Sequence, residues 1–222
     1  MSHDQTQTFA GGEGDAWFAR NQSHLEAYDL EHDPVACAIH AAGIAPKRIL
    51  DLGCSSGTRL SALCRRHAAH GTGIEPSVSA VALAQARDPR LTWHVGTLDA
   101  HPTLPERFDL VIVSFVLHWI DRRRLLASLA ALDAAVAEGG CVVIADFFPD
   151  FPQRREYHHL AGQEVFTYKN DYPAMLIATG LYRPLVRQTL RYPDYRPAQP
   201  GTVDCCQVAV LERLAPASIT LV

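Results

Sequence analysis

Two glycines, an acid and a histidine carry most of the chemistry legible in this chain. Gly53 and Gly57 bracket the turn Gly53-Cys54-Ser55-Ser56-Gly57 behind the β-rich run 49–52, and Glu75 stands eighteen residues beyond Gly57, ending a second short apolar run. Glycine lets a backbone turn sharply and approach a ligand where a Cβ would collide. A helix beginning after such a turn offers unpaired N–H groups, and a carboxylate at the tip of the next strand can accept bonds from ribose hydroxyls. The pair therefore reads as a grip on a nucleoside-bearing cofactor. Further along, His118 follows the run 108–114; an imidazole titrates near about 6.5 and can take a proton from a reacting group. The competing reading of His118 is a packed histidine that holds its loop by hydrogen bonding.

These residues need elements to position them. Asp33 and Pro34 suit the cap and first turn of a helix over 33–42. Strand 48–52, helix 58–69, strand 73–75, helix 77–87 and strand 91–95 follow in alternation. Residues 108–114 form a nearly unbroken apolar run, the mark of a central parallel strand buried on both faces. A helix is expected over 121–137, ended by Gly139-Gly140, then a strand over 141–145. Phe147 to Pro152 breaks regular structure and opens an insertion over 148–182 that includes a helix at 171–179. Strands at 185–192 and 204–212 would make an antiparallel hairpin at the sheet edge. Alternation of this kind implies right-handed crossovers, a doubly wound α/β sheet with helices on both faces, and a ligand beyond the carboxyl ends of the strands.

Asp51-Leu52-Gly53-Cys54-Ser55-Ser56-Gly57, Gly73-Ile74-Glu75-Pro76 and Phe108-Asp109-Leu110-Val111-Ile112-Val113-Ser114 resemble, in order and spacing, signatures of the class I S-adenosylmethionine-dependent methyltransferases. The resemblance covers residues 45–147. It implies a Rossmann-like seven-stranded, mostly parallel sheet, and S-adenosylmethionine as cofactor with S-adenosylhomocysteine as product. Gly53, Ser55 and Gly57 would bring amides to the methionine part, and Asp51 would orient the turn or meet the ammonium through water. Glu75 would take both ribose hydroxyls, Pro76 the adenine face, and one of Thr97, Leu98 or Asp99 the adenine edge. Ser114 to Trp119 would line the reacting centre. The family usually has glycine where this chain has Ser55, so that backbone must keep φ below zero or accept modest strain.

The remaining candidates rest on position and composition. Trp17, Phe18, Arg20 and Asn21 read as a lid over the cofactor or as ordinary helix packing, with Arg20 a candidate cofactor contact. Trp17, Trp119, Phe147, His158, His159 and Tyr168 are polar and aromatic candidates for a pocket that recognises a small polar molecule. His158-His159 lack a third or fourth ligand at supporting spacing, so no metal is expected.

The chain's 222 residues and 48% hydrophobic content suit a single domain, divided into a helical cap over 1–44, a cofactor-binding core over 45–147, the insertion over 148–182 and C-terminal strands over 183–214. A net charge of -4 offers no global attraction to nucleic acid. Arg122 to Arg124, and Arg183, Arg187 and Arg191, read as solvated surface. Six cysteines without zinc-type or secreted-framework spacing point to a cytoplasmic protein, and the longest apolar stretch is too short to span a bilayer. A monomer or homodimer is expected.

Three rival readings remain. Gly53-Cys54-Ser55-Ser56-Gly57 also satisfies the G-x-S-x-G elbow of α/β-hydrolases, with Ser55 as nucleophile, although no histidine follows His159 and only one short strand precedes the turn. A nicotinamide-dependent dehydrogenase would share the sheet and the acid but lacks the full G-x-G-x-x-G spacing. A cofactor-binding module without catalysis is the third.

Overall fold

Neighbouring residues of the run 108–114 face opposite layers. Val111 and Val113 enter one apolar cluster with Leu50, Leu52 and Ile144, while Leu110 and Ile112 enter a second with Ile49 and Val143. A strand needing apolar side chains on both faces is a central strand, and this one is β4 (Phe108–Ser114) of a seven-stranded sheet. The computed structural model describes residues 5–98, 100–104, 106–201 and 204–215.

Strands β1 (Arg48–Leu52), β2 (His70–Glu75), β3 (Thr92–Val95), β4 and β5 (Val136–Phe147) pair in parallel. Next come β6 (Gln153–Glu156) and β7 (Phe166–Lys169), a separate antiparallel ribbon, and then β8 (Tyr182–Arg191) and β9 (Cys205–Arg213). The large sheet has the order β3-β2-β1-β4-β5-β9-β8, with β9 antiparallel to both neighbours. The doubly wound fold and its antiparallel edge hairpin are as the sequence implied; the ribbon β6–β7 was not foreseen.

The helices are α1 (Gln5–Thr8), α2 (Gly14–Glu26), α3 (Pro34–Ala41), α4 (Thr58–His67), α5 (Val78–Arg87), α6 (Leu125–Ala135) and α7 (Tyr172–Ile177). Asp33 caps α3 by accepting from the amides of Val35 and Ala36, and Ser77 caps α5 through the amide of Ala80.

Several boundaries shift by a few residues, as where β2 begins at His70 rather than 73 and β8 at Tyr182 rather than 185, and two shift most. The helix begins at Leu125 rather than 121, because Asp121 accepts from the amide and guanidinium of Arg123 and closes its own turn first. Strand β5 begins at Val136 rather than 141, since Val136 pairs with Phe108 across a register irregularity and Gly139-Gly140 lie within the strand. The basic residues of β8 do lie on the surface, with Arg183 on Glu212, Arg187 on Asp171 and Arg191 on Asp194.

Candidate functional site

The carboxyl ends of β1, β2 and β4 meet at the glycine turn. Gly53 has φ +80, and a Cβ there would lie 2.3 Å from Val116 Cγ2, so the loop after β4 packs directly on the backbone. Ser55 adopts φ +49, the strained alternative; such a conformation costs an L residue about 1–2 kcal/mol. The Glu75 carboxylate holds that turn. Its Oε2 accepts the Ser55 amide at 2.9 Å and its Oε1 the Ser77 amide at 3.0 Å. Burial pushes Glu75 up to about 7, against the downward pull of those two amides.

Asp51 is fully buried behind the turn, and among the described residues neither carboxylate oxygen has a partner; the Ser55 hydroxyl is likewise buried and unpartnered there. Burial raises Asp51 to about 6, with nearby Arg59 opposing and Asp33 reinforcing the rise. Arg59 itself is tied to Asp33 at 2.7 Å.

Two cavities adjoin here. The smaller, about 140 Å³, runs from Gly53, Ser55 and Glu75 past Pro76 to Gly96, Thr97 and Leu98, and is roofed by Thr6, Phe9 and Trp17. The larger, about 760 Å³, is lined by Tyr28, Asp33, Arg59, His118, Phe147, Arg155, His158, His159, Lys169, Tyr192 and Tyr195 among others. Both are bounded by Trp17, Gly53, Ser55, Ser114, Phe115 and Trp119, so an elongated molecule passing Ser55 reaches both.

His118 and Asp146 form the site's buried polar pair. His118 Nδ1 lies 2.8 Å from Asp146 Oδ1, and the His118 amide donates to Asp146 Oδ2 at 3.2 Å. Asp146 Oδ1 also accepts the Phe147 amide at 2.8 Å, so the carboxylate is fixed from three directions. With Nδ1–H donating to Asp146, Nε2 is the His118 ring nitrogen left outside this pair. Phe115, at φ +55, puts its ring against Phe147 (5.2 Å between centroids) and Tyr192 (5.4 Å). An unbranched L residue held in the left-handed region beside a cavity is the kind of strain found at functional sites.

The N-terminal segment covers this edge. Asp15 accepts from the hydroxyls of Ser77 and Ser79 at the start of α5, at 2.6 and 2.7 Å. Gln5 donates to the carbonyls of Trp119 and Phe166 and accepts from the Phe166 amide. Glu13 accepts from Tyr157 at 2.7 Å and from Arg20.

Several residues singled out from sequence meet here. Gly53, Ser55, Glu75, Pro76, Thr97, Leu98 and Ser114 line the smaller cavity, and His118, Phe147, His158 and His159 the larger, with Trp17 and Trp119 between them. Others lie elsewhere. Gly57 lines neither cavity; at φ +70 it sits under Trp93, whose ring a Cβ would approach to 2.2 Å. Arg20 lines neither, being held by Glu13 and by the Tyr157 hydroxyl at 2.7 Å. Tyr168 lies outside as well, under the Arg122 guanidinium at 5.0 Å. Asp99 lies outside the described residues. Phe115 belongs to the stretch expected to line the reacting centre and Lys169 to the insertion, but neither stood out there by its own chemistry; Asp146 was missed, although it carries the signal of an acid at a strand's carboxyl end. The hydrolase reading loses its geometry: among the described residues the Ser55 hydroxyl has no hydrogen-bond partner, and so no histidine base.

Comparison with known proteins agrees with this geometry. Residues 49–140 match the family model described as a methyltransferase domain. A trans-aconitate 2-methyltransferase of Methylobacterium nodulans is 28% identical over 77% of this chain and 64% of its own length. YxjB of Bacillus subtilis, whose name assigns it to guanine-N(1) methylation of 23S rRNA, is 30% identical over 63% of this chain and 52% of its own length. A 3-hydroxy-5-methyl-1-naphthoate 3-O-methyltransferase of Streptomyces sahachiroi is 31% identical over 52% of this chain and 34% of its own length. The chain thus spans between a third and two thirds of the length of these curated relatives. Among solved structures, the Burkholderia thailandensis 1,6-didemethyltoxoflavin-N1-methyltransferase, with S-adenosylhomocysteine bound, superposes with a TM-score of 0.70 at 14% identity, covering 97% of this chain and 92% of that one. The N-methyltransferase NodS of Bradyrhizobium japonicum gives 0.62 at 16% identity, covering 95% and 99%. At such identities the likeness concerns the fold. Family match, turn and sheet order together relate residues 49–140 to the methyltransferase-domain family, and the sheet to the fold of solved S-adenosylmethionine-dependent methyltransferases.

The residues present fit that family's cofactor. The orphaned carboxylate of Asp51 and hydroxyl of Ser55 call for a polar guest or bound water. Pro76 and Leu98 offer apolar surface to a flat base, and Glu75 stands between them and the turn. Among the described residues no group of three or more His, Cys, Asp or Glu is arranged to hold a metal, and no helix is long and apolar enough to cross a membrane.

Proposed function

We propose that the chain transfers a methyl group from S-adenosylmethionine to a small polar molecule held in the larger cavity, with His118 as the base. The observation that carries this reading is His118 Nδ1 fixed on Asp146 at 2.8 Å, in a cavity that shares Ser55 and Ser114 with the cofactor turn. Bound S-adenosylmethionine supplies a methyl group made electrophilic by its positive sulfur. Gly53, Ser55 and Glu75 would hold it at the turn, and Trp17 and Phe9 would keep bulk water from it. His118 Nε2 would accept the acceptor's proton as the acceptor's lone pair forms the new bond to carbon and the carbon–sulfur pair passes to sulfur. Alignment of acceptor and methyl supplies about 7–11 kcal/mol in well-oriented reactions, so the cavity walls carry more of the rate than the base.

A small acceptor is supported by the size of the cavity, within the roughly 300–1,000 Å³ of small-molecule sites, and by the N-terminal helix lying over it. The net charge of -4 weighs against the rRNA substrate in the name of one relative. The trans-aconitate and naphthoate of the other two names are small acids. Six free thiols suit a reducing compartment, in line with a cytoplasmic location.

The test combines calorimetry with S-adenosylhomocysteine and methyl transfer from labelled S-adenosylmethionine to a panel of small hydroxy and amino compounds. His118→Asn is expected to lower turnover about 10²–10⁴-fold with product affinity within about twofold of wild type. Product binding without transfer to any acceptor would instead favour a cofactor-binding module, and no binding by folded protein would sink both readings.

A further inference from the structure

The ribbon β6–β7 turns one face toward the larger cavity. Gln153 pairs with Lys169 and Arg155 with Thr167, so Arg155, Thr167 and Lys169 share that face, and all three line the cavity. Lys169 Nζ lies 3.8 Å above the centre of the Phe147 ring. Neither Lys169 nor Arg155 has a carboxylate partner among the described residues. This stands out in a chain of net charge -4, where Arg59 at the same cavity is paired with Asp33 and Arg20 at the lid with Glu13. Burial and the repulsion of Arg155 hold the Lys169 ammonium below its usual range, against the weaker pull of the Asp204 and Asp146 carboxylates, neither of which is paired with it.

The wall below them is aromatic, its rings meeting edge to face. Phe147 is ringed by Phe115 at 5.2 Å, Tyr192 at 5.3 Å and the His118 imidazole at 5.0 Å. One ring thus carries the unpaired cation over its face and the candidate base at its side. Resting on the methyl-transfer reading, we infer that the acceptor is a small planar carboxylate, its anionic group on Lys169 with help from Arg155, its flat body against the Phe115–Phe147–Tyr192 wall, and its nucleophilic atom toward His118. Lys169 is then a specificity-determining residue that separates acids from their neutral analogues, because a half-buried ammonium strengthens a charge-assisted bond that an amide cannot match.

The inference is tested on the full chain saturated with S-adenosylhomocysteine, by calorimetry with two matched probe pairs: 3-hydroxybenzoate against 3-hydroxybenzamide, and 6-hydroxy-2-naphthoate against its carboxamide. In at least one pair the acid is expected to bind about tenfold or more tightly than the amide, a preference that Lys169→Met reduces to within about twofold and Lys169→Arg retains. Acids no tighter than amides, no binding by any probe, or a preference that survives Lys169→Met would overturn it. The S-adenosylhomocysteine titration separates the two failures: if the product does not bind, the methyl-transfer reading falls, whereas product binding without acid preference removes only the carboxylate assignment.

Discussion

Asp146 grips His118 at two points, accepting Nδ1 at 2.8 Å and the backbone amide at 3.2 Å, so one carboxylate sets both the ring's tautomer and the position of its loop. Asp146→Asn keeps the shape but can present an amide N–H to Nδ1, which favours the tautomer with its proton on Nε2. That tautomer cannot accept a proton from substrate. Turnover is expected to fall about 10²-fold or more, with cofactor affinity and KM for the acceptor changed far less. A loss of melting temperature with unaltered turnover would make the pair a structural clasp.

The pH dependence of cofactor affinity follows from Glu75. Its folded value of about 7 lies above the ordinary 4.5, so the empty protein loses stability as pH rises from about 4.5 to 7, and above that window the loss is complete and constant. Ribose hydroxyls donate to the ionised form, so binding draws a proton off. Affinity is expected to climb with pH up to about 7 and then level, with proton release visible as a buffer-dependent heat. Asp51, raised to about 6, acts lower in the range. Glu75→Gln should remove the upper part of the profile and weaken binding about tenfold or more, since a hydrogen bond to a charged group is worth about 1.5–3 kcal/mol. A flat profile in the wild type would place the ribose elsewhere.

Gly57 supports the Trp93 side of the fold rather than the ligand. A Cβ would lie 2.2 Å from the Trp93 ring, and the residue's φ of +70 adds strain for any L side chain. Gly57→Ala is therefore expected to cost about 2 kcal/mol or more in urea unfolding. In the Trp93→Leu background the same change should cost less, because a smaller side chain relieves the clash but not the backbone strain. Equal costs in both backgrounds would show that the ring does not limit the site.

The line between what could and could not be read from sequence follows the distance over which each feature is encoded. The turn at Gly53 and the acid at Glu75 lie in contiguous motifs at strand ends, and β4 advertises its two-sided burial through seven consecutive residues. Asp146 escaped because the strand was ended at 145, one residue short of the acid. Lys169 and Phe147 meet only through the ribbon β6–β7, whose short strands carry no alternating pattern. Phe115 adopts a backbone conformation that its residue type disfavours, so propensity points away from it. Arg20 and Tyr168 had suitable chemistry near the right place, but nearby partners claimed them: Glu13 and Tyr157 in one case, Arg122 in the other.

The Glu13–Tyr157 contact ties the N-terminal helix over the cavities, and its loss is expected to release that helix. Glu13 is buried and accepts from the Tyr157 hydroxyl at 2.7 Å and from Arg20, while Gln5 holds the preceding turn to Trp119 and Phe166. These contacts join residues 5–26 to the insertion and to the loop after β4, Asp15 adds the start of α5, and none lies within the large sheet. Glu13→Ala removes the acceptor from both Tyr157 and Arg20 without touching the glycine turn. Losing the acceptor of a buried tyrosine hydroxyl and of a partly exposed guanidinium costs about 1–3 kcal/mol, enough to loosen a short peripheral segment, so the cover should detach while the sheet stays folded. The expected signature is rapid proteolytic cleavage within the first thirty residues and cofactor release accelerated about tenfold or more, with the main unfolding transition little changed. Release at the wild-type rate from a chain already cleaved there would mean that the helix packs on the site without retaining what the site holds.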